Sequence, residues 1–374
     1  MSVSFVLSSV SRSLGLLLAC TLLAACASTP SGTTAPAPVT VGADHPAIRL
    51  SGRFEGAGTG RATFGWSGAR VRLRFQGSPS VAMRLVDDSG DNYALVWIDG
   101  TPRQKIRLNA PDGFYLLADG LDTGEHTVEI VRVTECHLGL THFRGFELAA
   151  GATPLPWTEA PERRIEFIGD SITCGYGVEV DDPKLHFDPA SENFCLGTSG
   201  LTARALGADY LVVSRSGIGM VRNYDGPRDG NADAMPQVYP NTFYLRPGTP
   251  WDFRRFTPDV VCLNLGTNDF STTGVNVDLF VATYRTFVEQ LLARHPKARV
   301  VMLQGPMNTG PELRAALDRV RGQLTAEAAP RIHFLALSAQ GSVGLGADYH
   351  PNRAQSEINA RELTAFLREL MAWK

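Results

Sequence analysis

The sequence predicts two domains of different class, an N-terminal all-β jelly-roll sandwich and a C-terminal three-layer α/β domain around a parallel sheet of flavodoxin-like type. Three observations predict them. Apolar residues alternate with polar ones from about Ile48 to Leu148, the period of half-buried antiparallel strands. From Arg164 onward, near-continuous apolar strands alternate with helical stripes, the pattern of a parallel sheet buried on both faces. Between the two lies Gly151 to Pro161, rich in Ala, Pro and Thr, where the pattern changes.

The first segment stands outside the fold. Arg12 precedes the apolar run Leu14 to Ala25, which is too short to span a bilayer and sits where a signal peptide belongs. It ends Leu23-Ala24-Ala25-Cys26, which resembles a bacterial lipobox and implies lipidation of Cys26. Residues 1–26 are thus expected to be a lipoprotein signal peptide. Residues 27–44, rich in Ser, Thr, Pro, Gly and Ala, bury too little to fold and are expected to be a flexible tether. The absence of Asp directly after Cys26 points, by resemblance to lipoprotein sorting, to the outer membrane.

Residues 45–150 form the expected sandwich. Ala69, Val71, Leu73 and Phe75 alternate, as do Val81, Met83 and Leu85, with Tyr93 to Ile98 and Glu125 to Val131 as further strands. Asp99-Gly100 and Asp122-Thr123-Gly124 supply turns, and no helix is expected. Residues 151–162 are a linker. In residues 163–374 the strands are Arg164–Ile168, Tyr210–Val213, Val260–Leu265, Val300–Leu303 and Ile332–Ala336. Phe280, Tyr284, Phe287, Val288 and Leu291 make one helical stripe, and Ile358, Leu363, Phe366, Leu367 and Leu370 another.

Composition narrows the function. With 44% hydrophobic and 20% charged residues and a net charge of -3, the chain is globular and has no electrostatic footprint for nucleic acid. Cys136, Cys174, Cys195 and Cys262 remain after the signal segment, with no close Cys or His pair to suit zinc, so neither metal nor cofactor is expected.

Chemistry-bearing residues fall at strand ends, where α/β domains place their sites. After the first strand comes Gly169-Asp170-Ser171. Here Ser171 can present its hydroxyl at the mouth of the sheet as a nucleophile, although this is not the G-x-S-x-G elbow. Asp170 is expected to cap the adjoining turn or helix. Gly217 comes after the second strand and brings a backbone N–H to the same space. Asn268, in Leu265-Gly266-Thr267-Asn268-Asp269, can turn its amide toward an oxyanion. His350 precedes the last helix and is the candidate base, with Asp348 the candidate acid orienting its ring. Among the loop aromatics Tyr176, Phe194, Tyr224, Tyr239, Phe243, Tyr244 and Trp251, the last two are the expected sugar-stacking residues.

Together Gly169-Asp170-Ser171, Gly217, Gly266-Thr267-Asn268-Asp269 and His350 resemble the four blocks of the SGNH (GDSL-type) hydrolases, over about Glu162 to Lys374. That superfamily usually has its acid three residues before the histidine, where this chain has Ala347. The preceding sandwich, Gly169 to Gly177, Gly305-Pro306-Met307 and Asp348-Tyr349-His350-Pro351 resemble carbohydrate esterase family 2. The resemblance implies removal of acetyl groups from polysaccharides such as xylan and glucomannan, with a preference for the 6-position of hexoses. It implies Ser171 as nucleophile, His350 as base, and Ser171 N–H, Gly217 N–H and the Asn268 amide as oxyanion donors. In that family the acid is variable, and some members orient the histidine with a backbone carbonyl. A bridge between Cys174 and Cys195 would stiffen the loop over the site; other pairings or free thiols stay equally open. Two rival functions are a lipase or thioesterase of the same superfamily, which needs a wide apolar channel, and a non-catalytic carbohydrate-binding lipoprotein.

Overall fold

The structure, a computed structural model, describes residues 37–158 and 160–374. The expected signal segment, Cys26 and the expected tether up to residue 36 therefore lie outside the described residues. Ala37–Lys374 form one compact unit.

The sandwich consists of β1 (Val39–Gly42), β2 (Ile48–Ser51), β3 (Phe54–Glu55), β4 (Ala62–Phe64), β5 (Arg70–Gln76), β6 (Val81–Asp87), β7 (Tyr93–Ile98), β8 (Thr101–Arg107), β9 (Phe114–Ala118), β10 (Glu125–Arg132), β11 (Thr141–Leu148) and β12 (Thr153–Leu155). One sheet has the order β3-β4-β11-β6-β9 and the other β12-β5-β10-β7-β8, with β1 beside β11 and β2 beside β5. From β4 to β11 the chain passes between the sheets in jelly-roll order. The alternating apolar residues meet inside: Val71, Leu73, Phe75, Val81, Met83 and Leu85 are all buried in one core.

Two stretches expected to be linker are strand. Val39–Gly42 pairs antiparallel with β11, Val39 opposite Leu148 and Gly42 opposite Gly145, because Val41 fills the sandwich core and brings its β-branched neighbours into the sheet. Thr153–Leu155, inside the expected 151–162 linker, pairs with β5. Residues 39–42 and 153–155 accordingly belong to the sandwich and not to the linkers that composition indicates.

The α/β half continues with β13 (Arg164–Gly169), α1 (Ser171–Cys174), α2 (Thr198–Ala205), β14 (Asp209–Ser214), α3 (Met235–Val238), β15 (Val260–Asn264), α4 (Val277–Arg294), β16 (Arg299–Gln304), α5 (Pro311–Gly322), β17 (Ile332–Ala336) and α6 (Arg353–Met371). The sheet order is β14-β13-β15-β16-β17, with every pair parallel. The predicted stripe of α4 (Phe280, Tyr284, Phe287, Val288, Leu291) is buried against it.

The two halves share a continuous interior. Ala94, Val96 and Ile98 of β7 face the sandwich core, while Tyr93, Leu95 and Trp97 pack on a cluster that joins Val131 and Val133 to Ile165, Phe167 and Phe194. Both faces of β7 are thus covered, which is why Tyr93 to Ile98 reads as nearly unbroken apolar sequence. The Trp66 indole donates to Thr242 O at 2.7 Å. Arg53, fully buried, donates to Asn241 O at 2.6 Å and lies 3.6 Å from Glu166.

Candidate active site

In the order β14-β13-β15 the first strand of the parallel sheet is flanked on both sides, and the chain reverses direction of winding there. Ligands bind outside the carboxyl ends of the strands at such a switch point. Ser171 comes after β13, Gly217 after β14 and Asn268 after β15, so one crevice collects three distant segments.

Asp170 caps the short α1: its Oδ1 accepts the Ile172 N–H at 3.1 Å, as expected from the sequence. The carboxyl is fully buried, and burial pushes it up to about 7. Ser171, at the first position of α1, places Oγ 2.9 Å from His350 Nε2. His350 Nδ1 lies 3.1 Å from both Ala347 O and Asp348 O. Carbonyl oxygens only accept, so Nδ1 carries the proton and Nε2 is a bare acceptor for the serine hydroxyl. Burial lowers the His350 pKa from its ordinary value, which keeps the ring in its basic, neutral form.

The orienting group is therefore backbone, and Asp348 is corrected as the side-chain acid. Its carboxylate accepts from Tyr176 Oη at 2.5 Å and pairs with His186 Nδ1 at 2.8 Å. Burial alone would raise this carboxyl, but those two hydrogen bonds outweigh it and hold it below its usual range. Asp348 (φ 47°) and Tyr349 (φ 59°) are consecutive left-handed residues without being glycine, a conformation that costs of order 1–3 kcal/mol per residue. The turn they make brings the 347 and 348 carbonyls to one ring nitrogen. The Asp348 carboxylate anchors Tyr176, whose ring stacks on the imidazole at 4.1 Å between centroids.

Gly217 has φ 76°, while a Cβ there would meet only the Tyr224 Cβ, at 3.8 Å. Conformation, rather than crowding against a reacting group, is what favours glycine at this position. Asn268 is buried, lines the cleft, and its Nδ2 donates to Ile218 O at 2.9 Å, with Asp170 Oδ2 at 3.5 Å as its second, longer contact. Asp269 holds the loop beyond Gly217, accepting N–H bonds from Met220, Val221 and Arg222.

Ser171, Gly217, Asn268 and His350 line a single cleft of about 480 Å³, together with Tyr176, Tyr224, Met307 and Tyr349. Trp251 and Tyr244 are not among its lining residues, and both are corrected as sugar-stacking candidates. Trp251 is buried, with the Arg255 and Arg53 guanidiniums packed against its ring. Tyr244 donates to Asp233 at 3.0 Å and lies under Arg215. The exposed rings at the cleft are Tyr224 and Tyr349. The sequence reading missed Tyr349 and Met307 as lining residues; Met307 lies just past the β16 strand end, the signal that located the other site residues.

All four described cysteines are free and buried. The suggested Cys174–Cys195 bridge is absent: the Cys174 thiol donates to Ser214 Oγ at 3.2 Å beneath the site, while Cys195 packs in the apolar cluster around Phe194 and Ala203.

Residues 50–157 match the model of the carbohydrate esterase 2 N-terminal family, and residues 167–358 that of the GDSL-like lipase/acylhydrolase family. An acetylxylan esterase / glucomannan deacetylase of Cellvibrio japonicus is 32% identical over 339 residues, 89% of this chain and 92% of its own length. The chain belongs to carbohydrate esterase family 2. It is accordingly a carboxylic ester hydrolase. The cellulase/esterase CelE of Acetivibrio thermocellus is 34% identical over 338 residues, 88% of this chain, and the chain spans 40% of CelE's length. Among solved structures, a family two carbohydrate esterase from Clostridium thermocellum in complex with cellohexaose has a TM-score of 0.82 at 32% identity, covering 87% of this chain and 100% of that one. A family two carbohydrate esterase from Cellvibrio japonicus has a TM-score of 0.81 at 29% identity, covering 90% and 99%.

The carbonyl-oriented histidine makes a sharp prediction for this family member. Asp348→Asn is expected to lower kcat/KM on 4-nitrophenyl acetate by less than about tenfold, because the amide oxygen can still accept from Tyr176 and the 348 carbonyl is untouched. A true triad acid costs about 10⁴ when replaced in the same way, and a loss of that size would restore the acid role to the side chain.

Proposed function

We propose that this esterase removes O-acetyl groups from plant-type polysaccharides or their oligosaccharides, xylan and glucomannan among them, with 6-O-acetyl hexoses as a preferred position. The carrying observation is the 2.9 Å contact of Ser171 Oγ with a His350 nitrogen left unprotonated by the carbonyls at its other side, opening onto a broad cleft edged by exposed tyrosines. The relatives' names support the substrate class.

In the reaction His350 Nε2 takes the Ser171 proton as Oγ attacks the acetyl carbonyl. The N–H groups of Ser171 and Gly217 and the Asn268 amide receive the developing oxyanion. The imidazolium returns its proton to the departing sugar oxygen, leaving an acetyl-enzyme. Water, deprotonated by the same nitrogen, then releases acetate and restores Ser171.

Around the nucleophile the lining is serine, glycine, threonine, asparagine, Asp348 and His350 with the rings of Tyr176, Tyr224 and Tyr349, and Met307 is the one open-chain apolar side chain among them. A lipase or thioesterase would need a wide apolar channel there. Hydrolysis of the octanoate ester is therefore expected not to exceed that of 4-nitrophenyl acetate in kcat/KM, since its added methylenes find no wide apolar channel to bury them. Acetate release from acetylated glucomannan and xylan is the companion measurement; octanoate preference would turn the reading to the lipase class.

We further propose that the protein works as an outer-membrane lipoprotein anchored through Cys26. This rests on the sequence of residues outside the described part. No described helix is long and apolar enough to cross a membrane. Labelled palmitate incorporated by the wild type but not by Cys26→Ser tests it, and equal labelling would overturn it.

A further inference from the structure

We propose that Glu135, a residue of the β-sandwich, is a positioning residue for the oxyanion site of the α/β half, acting as the acceptor that fixes the Ser216 N–H. The inference rests on the reading of Gly217 as an oxyanion donor.

Glu135 lies between β10 and the Cys136–Leu138 turn, and its side chain is fully buried. Its Oε2 accepts the Ser216 N–H at 2.7 Å, and Ser216 is the residue whose peptide bond carries the Gly217 N–H. The loop is also pinned by the Tyr224 N–H on Gly217 O at 2.7 Å, by Asn268 Nδ2 on Ile218 O, by Asn223 Oδ1 on the Gly219 N–H and by Asp269 on residues 220–222. All of those come from the α/β half. Glu135 comes from the sandwich, so the N-terminal domain reaches into the geometry of the site.

A second carboxyl shares the chamber. Glu192, also fully buried, accepts the Glu135 N–H through Oε2 at 3.1 Å. Oε1 of Glu135 and Oε1 of Glu192 find no partner among the described residues. One oxygen of each glutamate and the Cys174 sulfur lie within 4.8 Å of one another, and Cys174 ends the short helix that Ser171 begins. Two buried anions so close cannot both stay charged, so one proton is retained between them. Burial and the negative charge of Glu135 push Glu192 well up. Glu135 is pushed up by burial but held lower, on balance, by His137, 3.2 Å from its Oε2, and by the Ser216 N–H. The pair thus keeps an ionised, strong acceptor on the Ser216 N–H and a neutral acid behind it. Fixing that acceptor keeps the Gly217 N–H aimed before substrate arrives, the preorganisation on which oxyanion stabilisation depends.

The test compares wild type with Glu135→Ala, Glu135→Gln, Glu135→Asp and Ser171→Ala in the full chain, with kcat and KM on 4-nitrophenyl acetate, the unfolding temperature, and metal content by mass spectrometry. Glu135→Ala is expected to lower kcat by about 10- to 100-fold with KM within about threefold, because a misaimed donor is lost in the transition state and not in the ground state. Glu135→Gln, which keeps an acceptor oxygen at the same reach, should restore kcat to within about fivefold of wild type, whereas Glu135→Asp, one methylene short, should not. Full kcat in Glu135→Ala, or in a folded Glu135→Asp where the alanine variant does not fold, overturns the proposal. So does Glu135→Gln as impaired as Glu135→Ala, and so does a stoichiometric divalent metal in wild type that Glu135→Gln loses, which would make the chamber a metal site. Turnover surviving in Ser171→Ala instead overturns the active-site reading itself, so the two failures are separable.

Discussion

Ser171→Ala and His350→Ala are each expected to lower kcat/KM on 4-nitrophenyl acetate by about 10⁴- to 10⁶-fold, and the double variant to lose no more than either. The two side chains act as one unit: without Oγ there is no atom to acylate, and without Nε2 there is no group to take its proton. What survives is the rate supplied by the oxyanion donors and by binding. Removing the Ser171 hydroxyl costs one hydrogen bond, about 1 kcal/mol of stability, so the unfolding temperature should hardly move and the loss will be chemical. If the double variant were much slower than either single one, the residues would be acting independently, contrary to their 2.9 Å contact. The same dyad sets the pH profile. The reactive form is the neutral imidazole, and burial lowers the His350 pKa from 6.5. In wild type the acid limb of kcat/KM should therefore have its midpoint below 6.5, and a midpoint above it would contradict the buried ring.

Much of this site was legible because it obeys a local rule. A parallel strand is marked by its apolar run, and the residues just past its carboxyl end lie at the mouth of the sheet; Ser171, Gly217 and Asn268 could each be located that way. His350 is found by its place before the final helix. The orienting group was not legible. Asp348 has the right residue type two positions before the histidine, but the left-handed turn at 348–349 sends its carboxylate to Tyr176 and His186 and its carbonyl to the imidazole. Nothing in the spacing records that turn. Trp251 misled for a similar reason: an aromatic among prolines and glycines reads as a loop surface, whereas Arg53, nearly two hundred positions earlier, packs against its ring. Val39–Gly42 was assigned to the tether on composition, and only its pairing with β11, far along the chain, makes it a strand. Glu135 escaped entirely, since its partners Ser216 and Glu192 belong to the other half of the molecule.

Asn268→Ala is expected to lower kcat by about 10²- to 10³-fold with little change in KM, the cost of removing one preorganised oxyanion donor. The asymmetry between kcat and KM is the informative part. In the ground state the acetyl oxygen is a carbonyl, weakly held by any of the three donors; in the tetrahedral intermediate it is an anion, and the missing amide is felt in full. The amide is held in place before substrate arrives, by Ile218 O on one N–H and by the packing of a side chain that is 7% exposed. Its second, longer contact is Asp170, whose carboxyl sits near 7 at 3.5 Å, too far to hold the amide away from an oxyanion. Asn268→Asp separates donation from shape. It keeps the size of the side chain but offers oxygen where the oxyanion forms, and at neutral pH it should be at least as damaging as Asn268→Ala. Equal kcat in Asn268→Asp and wild type would show that the amide does not face the oxyanion, leaving the two backbone N–H groups to carry the stabilisation alone.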